Sequence, residues 1–200
     1  MAKASWVKLN PSSGSGNANV NVSSTAEHTG RVARTTILTW KAANVANIER
    51  TVSQAGKPEY VDVADAASAD KAGKVVTISG VSNSKKLTFS LGTGDLTITL
   101  PSTYTANSVS TSNGANISGD PGATAEYNFS ISITVPANTS TSAKTRQIIV
   151  TDEGGHQDVC LLTSAASDAY VTVAEGVIEL DYQGTAVTVE VKSNTSWTIE

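Results

Sequence analysis

The side chains best suited to proton transfer, nucleophilic attack or metal binding are few: His28, His156, Cys160 and the trio Asp62, Asp65 and Asp70. Each histidine falls in a stretch that reads as a turn, and both are read as solvated loop residues rather than bases or ligands. The three aspartates hint at calcium, but their spacing fits no known loop and no bidentate glutamate follows. Cys160 sits among Val159, Leu161 and Leu162, the setting of a small core residue rather than a reactive thiol. No nucleophile elbow, phosphate loop or dinucleotide fingerprint is present. The expectation is a protein with no catalytic site, no metal and no cofactor.

Aromatic stacking is the remaining chemistry. Trp40 closes a strand-like run and is the candidate for a ligand or partner contact, for example against a sugar ring. Trp6 and Trp197 lie near the two ends and read as core residues.

The elements that would position these residues are organised as a repeat. Arg34-Thr-Thr-Ile-Leu-Thr resembles Arg146-Gln-Ile-Ile-Val-Thr, and Tyr60-Val-Asp-Val-Ala resembles Tyr170-Val-Thr-Val-Ala. Ser82-Asn83-Ser84 with Leu87-Thr-Phe resembles Ser193-Asn194-Thr195 with Trp197-Thr-Ile. All three pairs are separated by about 111 residues, the size of one small domain. Residues 1–57 and 168–200 then read as complementary parts of one repeat, flanking a complete copy at 58–167. Leu96 stands before Pro101 as Trp6 stands before Pro11, which places the head of the chain after the tail in repeat order.

Composition agrees with many short strands. Charged residues make up only 16%, and Ser, Thr, Asn, Gly and Val are abundant. The net charge of −4 argues against a nucleic-acid partner, no apolar run is long enough for a membrane helix, and a single cysteine excludes an intrachain disulfide. The N-terminus lacks an apolar signal core, so synthesis in the cytoplasm without an export signal is expected. Strand candidates include Trp6–Pro11, Val20–Val22, Arg34–Trp40, Ile48–Gln54, Val75–Ser79, Leu87–Leu91, Leu96–Leu100, Tyr127–Val135, Thr145–Thr151 and Asp158–Thr163. Phe129, Ile131, Ile133 and Val135 show the clearest alternation. Asp65–Gly73 reads as an Ala/Asp-rich loop and Asn113–Ala123 as a long flexible one. The fold class expected is all-β, two immunoglobulin-like antiparallel β-sandwich modules, the first completed by the C-terminal strands.

The stretches SNTSWTIE, SWVKLNPSSGSGNANVNV, RVARTTILTW and RTVSQAG, taken in that order, resemble the BACON domain, an immunoglobulin-like module of Bacteroidetes proteins and their phages. The resemblance covers both ends of the chain taken together, and the middle repeat more loosely, with Leu96 where the family has tryptophan. It implies either a carbohydrate-binding module of a surface protein or, where such modules stand without an enzyme domain, a virion component such as a capsid auxiliary or head-fibre protein of crAss-like phages. The implied location is the virion, or the cell surface if a leader was removed. The implied partners are other copies of the chain, a capsid protein or glycans.

In the tail, Val187, Val189 and Val191 alternate with Thr188 and Glu190, and Ile178 and Leu180 precede them. Burying five or six such side chains is worth roughly 10 kcal/mol gross, at about 1.5–3 each. The tail is therefore expected to dock, through Ile178, Leu180, Val187, Val189, Val191, Trp197 and Ile199, on a first module that offers Trp6, Val20 and Val22. Two arrangements are open: closure on the same chain, or strand donation to a neighbouring subunit in a ring or filament. Short linkers at 55–59 and 165–169 favour the second.

Overall fold

A computed structural model describes residues 3–174 and 176–200. Met1, Ala2 and Glu175, which fall inside the expected head and tail segments, lie outside the described residues. The chain is all-β. In order, its strands are β1 (Val7–Asn10), β2 (Asn21–Ser24), β3 (Arg34–Trp40), β4 (Ile48–Gln54), β5 (Val61–Val63), β6 (Ala66–Ala69), β7 (Lys74–Ser82) and β8 (Leu87–Gly94). They continue with β9 (Thr103–Ala106), β10 (Val109–Ser112), β11 (Tyr127–Val135), β12 (Lys144–Asp152), β13 (Gln157–Ser164), β14 (Val171–Val173) and β15 (Val191–Ser193), with one 3-10 turn at Pro121–Ala123.

The middle of the chain forms two facing sheets. One runs β10-β9-β11-β7-β5 and the other β6-β13-β12-β8. All pairs are antiparallel except β6 on β13. The period-2 rule explains why they face each other: Tyr127, Phe129, Ile131, Ile133 and Val135 are all buried, and the residues between them point outward. They meet Ile148, Val150, Cys160 and Leu162 from the opposite sheet. Phe89 packs its ring 4.9 Å from Tyr104 and 5.9 Å from Phe129. The core cluster draws only on residues between Val63 and Leu162.

The head is thinner. Among the described residues β1 pairs only with β2, and β3 only with β4, giving two separate antiparallel pairs. Val7 and Leu38 are its buried apolar residues. A polar knot ties the two pairs: Arg34 donates to Gln54 Oε1 at 2.7 and 2.9 Å, and Ser24 Oγ donates to the same oxygen at 3.0 Å.

Four expectations are corrected. Residues 65–73 are not a plain loop. Ala66–Ala69 form β6, held in parallel on β13, where tertiary pairing overrides the weak strand preference of alanine. Leu96–Leu100 form no strand: Leu96 N–H donates to Thr145 O at 2.9 Å, and Leu96, Ile98 and Leu100 turn inward without a ladder. Alternation there reports a buried face and not strand pairing. Residues 113–123 are pinned rather than flexible. The Asn113 side chain bonds both Phe89 N–H and Phe89 O, at 2.8 and 3.0 Å, and Ile117 is buried. Finally, among the described residues of the tail the short pair β14–β15 is the one ladder, so the alternation of Val187 and Val189 belongs to no strand, and neither 177–182 nor Trp197–Ile199 is assigned to one.

Candidate functional site

Three strand edges of the head have no partner among the described residues. β11 is flanked by β7, but its counterpart β2 has nothing on that side. β12 is flanked by β8, but β3 has only β4. β13 carries β6, and β4 carries nothing equivalent. Unpaired edges recruit other strands. A groove of about 520 Å³ opens beside them, lined by Leu9, Leu38, Trp40 and the polar chains of Lys3, Ser12 and Lys41.

The tail holds the opposite feature. Val177, Tyr182 and Ile199 are 84%, 94% and 82% exposed, and Ile178, Leu180, Val187 and Trp197 are exposed as well. Val189 and Val191 are half-buried. In the head, Val20 and Val22 are exposed, Trp40 is 42% exposed, and Trp6 is half-buried under the Arg34 guanidinium, 4.7 Å from its ring centre. The expected interface residues thus form two groups, one on the head and one on the tail. Among the described residues no strand of the tail pairs with a strand of the head in the same chain.

What holds head, middle and tail in line is a pair of matching junctions, which the sequence expectation missed. At the first, Asn83 Nδ2 donates to Thr29 O, Lys57 O and Pro58 O, each at 3.2 Å, and Asn83 Oδ1 accepts from Tyr60 N–H at 3.0 Å. Ser82 Oγ donates to Tyr60 O at 2.7 Å, and Lys57 N–H to Gly30 O at 2.9 Å. At the second, Asn194 Nδ2 donates to Thr139 O at 3.2 Å and Asp168 O at 2.9 Å, and its Oδ1 accepts from Tyr170 N–H at 3.0 Å. Ser193 Oγ donates to Tyr170 O, and Ser167 N–H to Ser140 O, both at 2.8 Å. The same bonds recur one repeat later. The signal was in the sequence as Ser82-Asn83 and Ser193-Asn194, which mark the repeat but do not reveal the carbonyls they read.

Each junction also carries an ion pair: Lys71 bonds Asp168 at the exposed surface of the second, and Arg31 bonds Asp120 at the half-buried first. The Arg31 guanidinium forks onto both Asp120 oxygens, Nη1 to Oδ1 at 2.6 Å, and it holds the Asp120 carboxyl below its ordinary pKa. Burial is tight there. A Cβ on Gly122 would lie 2.0 Å from Asn83 O, and one on Gly56 2.0 Å from Arg31 O. Lys57 Nζ lies 4.0 Å from the centre of the Tyr60 ring, and the Tyr60 hydroxyl bonds Glu126, so burial and the neighbouring carboxylate push that phenol up.

The other chemical candidates are placed as follows. His28 is not a solvated loop residue. It is buried, with Nε2 donating to Val32 O at 2.7 Å, because the turn before β3 folds over it. His156 is exposed and sits 2.8 Å from the buried Asp152 carboxylate in the β12–β13 turn. Cys160 is buried, and burial pushes its thiol up to about 11. Asp70 caps the Ala72 N–H at 3.0 Å. Among the described residues no group of three or more histidine, cysteine or acidic side chains converges on a metal-sized site, and no helix is long and apolar enough to cross a membrane. The chain matches no protein-family model and no curated protein.

Proposed function

We propose that this is a non-enzymatic structural protein whose immunoglobulin-like modules join copies head to tail by strand exchange, and that it serves as a virion component decorating or extending a phage capsid. One observation carries the reading: a head of two antiparallel strand pairs with three unpaired edges, in a chain that also presents an exposed apolar tail. The two junctions support the intersubunit form. They lie at opposite ends of the β7–β11 ladder, Ser82 pairing with Tyr127 at one end and Lys74 with Val135 at the other. That ladder is roughly 27 Å long at about 3.3 Å per residue, so the tail starts a module's length from its own head. The resemblance to BACON-type modules supports the virion setting. The test is native mass across a range of concentrations. Masses at multiples of the chain, growing with concentration, are expected, and a single-chain mass throughout would refute assembly.

The Trp40 groove favours a second reading, a carbohydrate-binding module. A half-exposed indole beside Ser12, Ser13, Lys3 and Lys41 has the stacking face and donors a sugar ring uses. Titration of a glycan panel separates the two, because saturable binding lost in Trp40→Ala is required by the second reading and not by the first.

A further inference from the structure

We infer that the groove at Trp40 is the vacant half of a module core, and that its occupant is the tail of a second copy in a register that the middle module specifies. This rests on the assembly reading above and adds to it the residue pairs that meet.

The junction bonds fix how the repeats align. Thr29 matches Thr139, Gly30 matches Ser140 and Lys57 matches Ser167, a shift of about 110 residues that carries β3 onto β12 and β4 onto β13. The strand registers agree, since Arg34 opposes Gln54 as Lys144 opposes Ser164. This moves β3 two residues from the Arg34–Arg146 sequence match, and Trp40 takes the place of Val150, which lies opposite Phe89 on β8. For β2 the face decides the match. Leu9 opposes Val22, and Val7, on the same face as Leu9, is buried beneath the head, so Val20 and Val22 look inward. Their counterparts on β11 are the inward Ile131 and Ile133, which oppose Ile78 and Val76 of β7.

The tail carries the missing strands in the same order. Val187 and Val189 stand six and four residues before Ser193, as Val76 and Ile78 stand before Ser82. Trp197 and Ile199 follow Asn194 as the buried Leu87 and Phe89 follow Asn83, with one residue fewer between. Docked in this register, Val187 lies opposite Val22, Val189 opposite Val20, and Ile199 opposite Trp40. The Ile199 side chain enters the groove now lined by Leu9, Leu38 and Trp40. Ile178 and Leu180 run parallel along β4, as Ala67 and Ala69 run along β13. The donor's Asn194 junction need not open, so the composite module stays docked on the donor's middle module as the head is docked on its own.

Outward-facing pairs give a test that spares the core. Ser132 Oγ lies 3.1 Å from Thr77 Oγ1 on the outer face of the β11–β7 ladder. The matching intersubunit pair is Asn21 with Thr188. Across the second edge, Thr151 opposes Thr88, and the matching pair is Lys41 with Thr198. Directly opposed strand residues lie within the Cα range a disulfide spans. Chains carrying Asn21→Cys and chains carrying Thr188→Cys, purified separately, are mixed and oxidised, and the same is done for Lys41→Cys with Thr198→Cys. Each mixture is expected to run at twice the chain mass without reductant. The mismatched mixture of Asn21→Cys with Thr198→Cys stays at the single-chain mass. If wild-type protein assembles but neither matched pair links, the register is overturned and assembly stands. If native mass shows single chains only, the assembly reading itself falls. If the double variant Asn21→Cys/Thr188→Cys closes within one chain and the mixture does not link, a second copy is not the occupant.

Discussion

At the residue scale, the side chains that matter most for order are two asparagines that read main-chain carbonyls. Asn83 is fully buried, and its amide spans a loop of the head, the linker and Tyr60 near the start of its own module. Truncating it strands three carbonyls and an N–H, so Asn83→Ala should lower the unfolding free energy by about 2–3 kcal/mol, read from urea denaturation. Asn194 has fewer partners and is more exposed, so Asn194→Ala should cost about 1 kcal/mol or less. The Arg31–Asp120 pair gives the first junction a pH dependence. The folded pKa of Asp120 lies below its unfolded value because Arg31 favours the carboxylate. The pair's contribution is therefore complete above the unfolded value of about 3.9 and is lost as pH falls through the folded one. Amide shifts of Arg31 and Val32, which donate to Gly122 O and Ala123 O, should titrate only below about pH 4 and stay flat in Asp120→Asn. A wild-type profile flat to acid unfolding would refute the assignment.

At the element scale, what the sequence made legible follows from how directly periodicity reports burial. The alternation in β11 predicted the buried face residue by residue, since a nine-residue strand with one face on a core leaves no other pattern. The β9–β10 hairpin escaped notice because its turn is Asn107-Ser108, both at positive φ, without the glycine that usually marks such a turn. β6 escaped because Ala-Ala-Ser-Ala has no strand signature, and only the β13 edge makes it a strand. The repeat pointed to a head and a tail that belong together, whereas the groove was not legible, because it forms only where Leu9 of β1 and Leu38 and Trp40 of β3 come to line one space. Arg50, opposite the buried Leu38 on β4, is the kind of inward charge that guards an edge against unselective pairing. Close packing of loops at the first junction is itself testable. Gly122→Ala places a methyl against Asn83 O and should cost about 1–3 kcal/mol, while Gly14→Ala, which meets nothing, should stay within about 0.5 kcal/mol in the same thermal assay.

At the scale of the whole molecule, stability and assembly are separable. The apolar core of the middle module draws on none of residues 177–200, so deleting them should lower its denaturation midpoint by no more than the small loss expected of Asn194→Ala, while native mass falls to a single chain. Intact protein diluted below its assembly threshold should shift its tryptophan emission to the red, as Trp40 and Trp197 return to water, and the truncated chain should show no such shift. The placement of the two junctions at opposite ends of the β7–β11 ladder has one more consequence. A row of copies joined as proposed would have polarity: one terminus would bear hungry edges and the other a bare tail. A surface that grips only one of those termini would seed growth outward in a single direction. A headless chain and a tailless chain would then stop opposite ends, each acting as a terminator for one direction and inert toward the other.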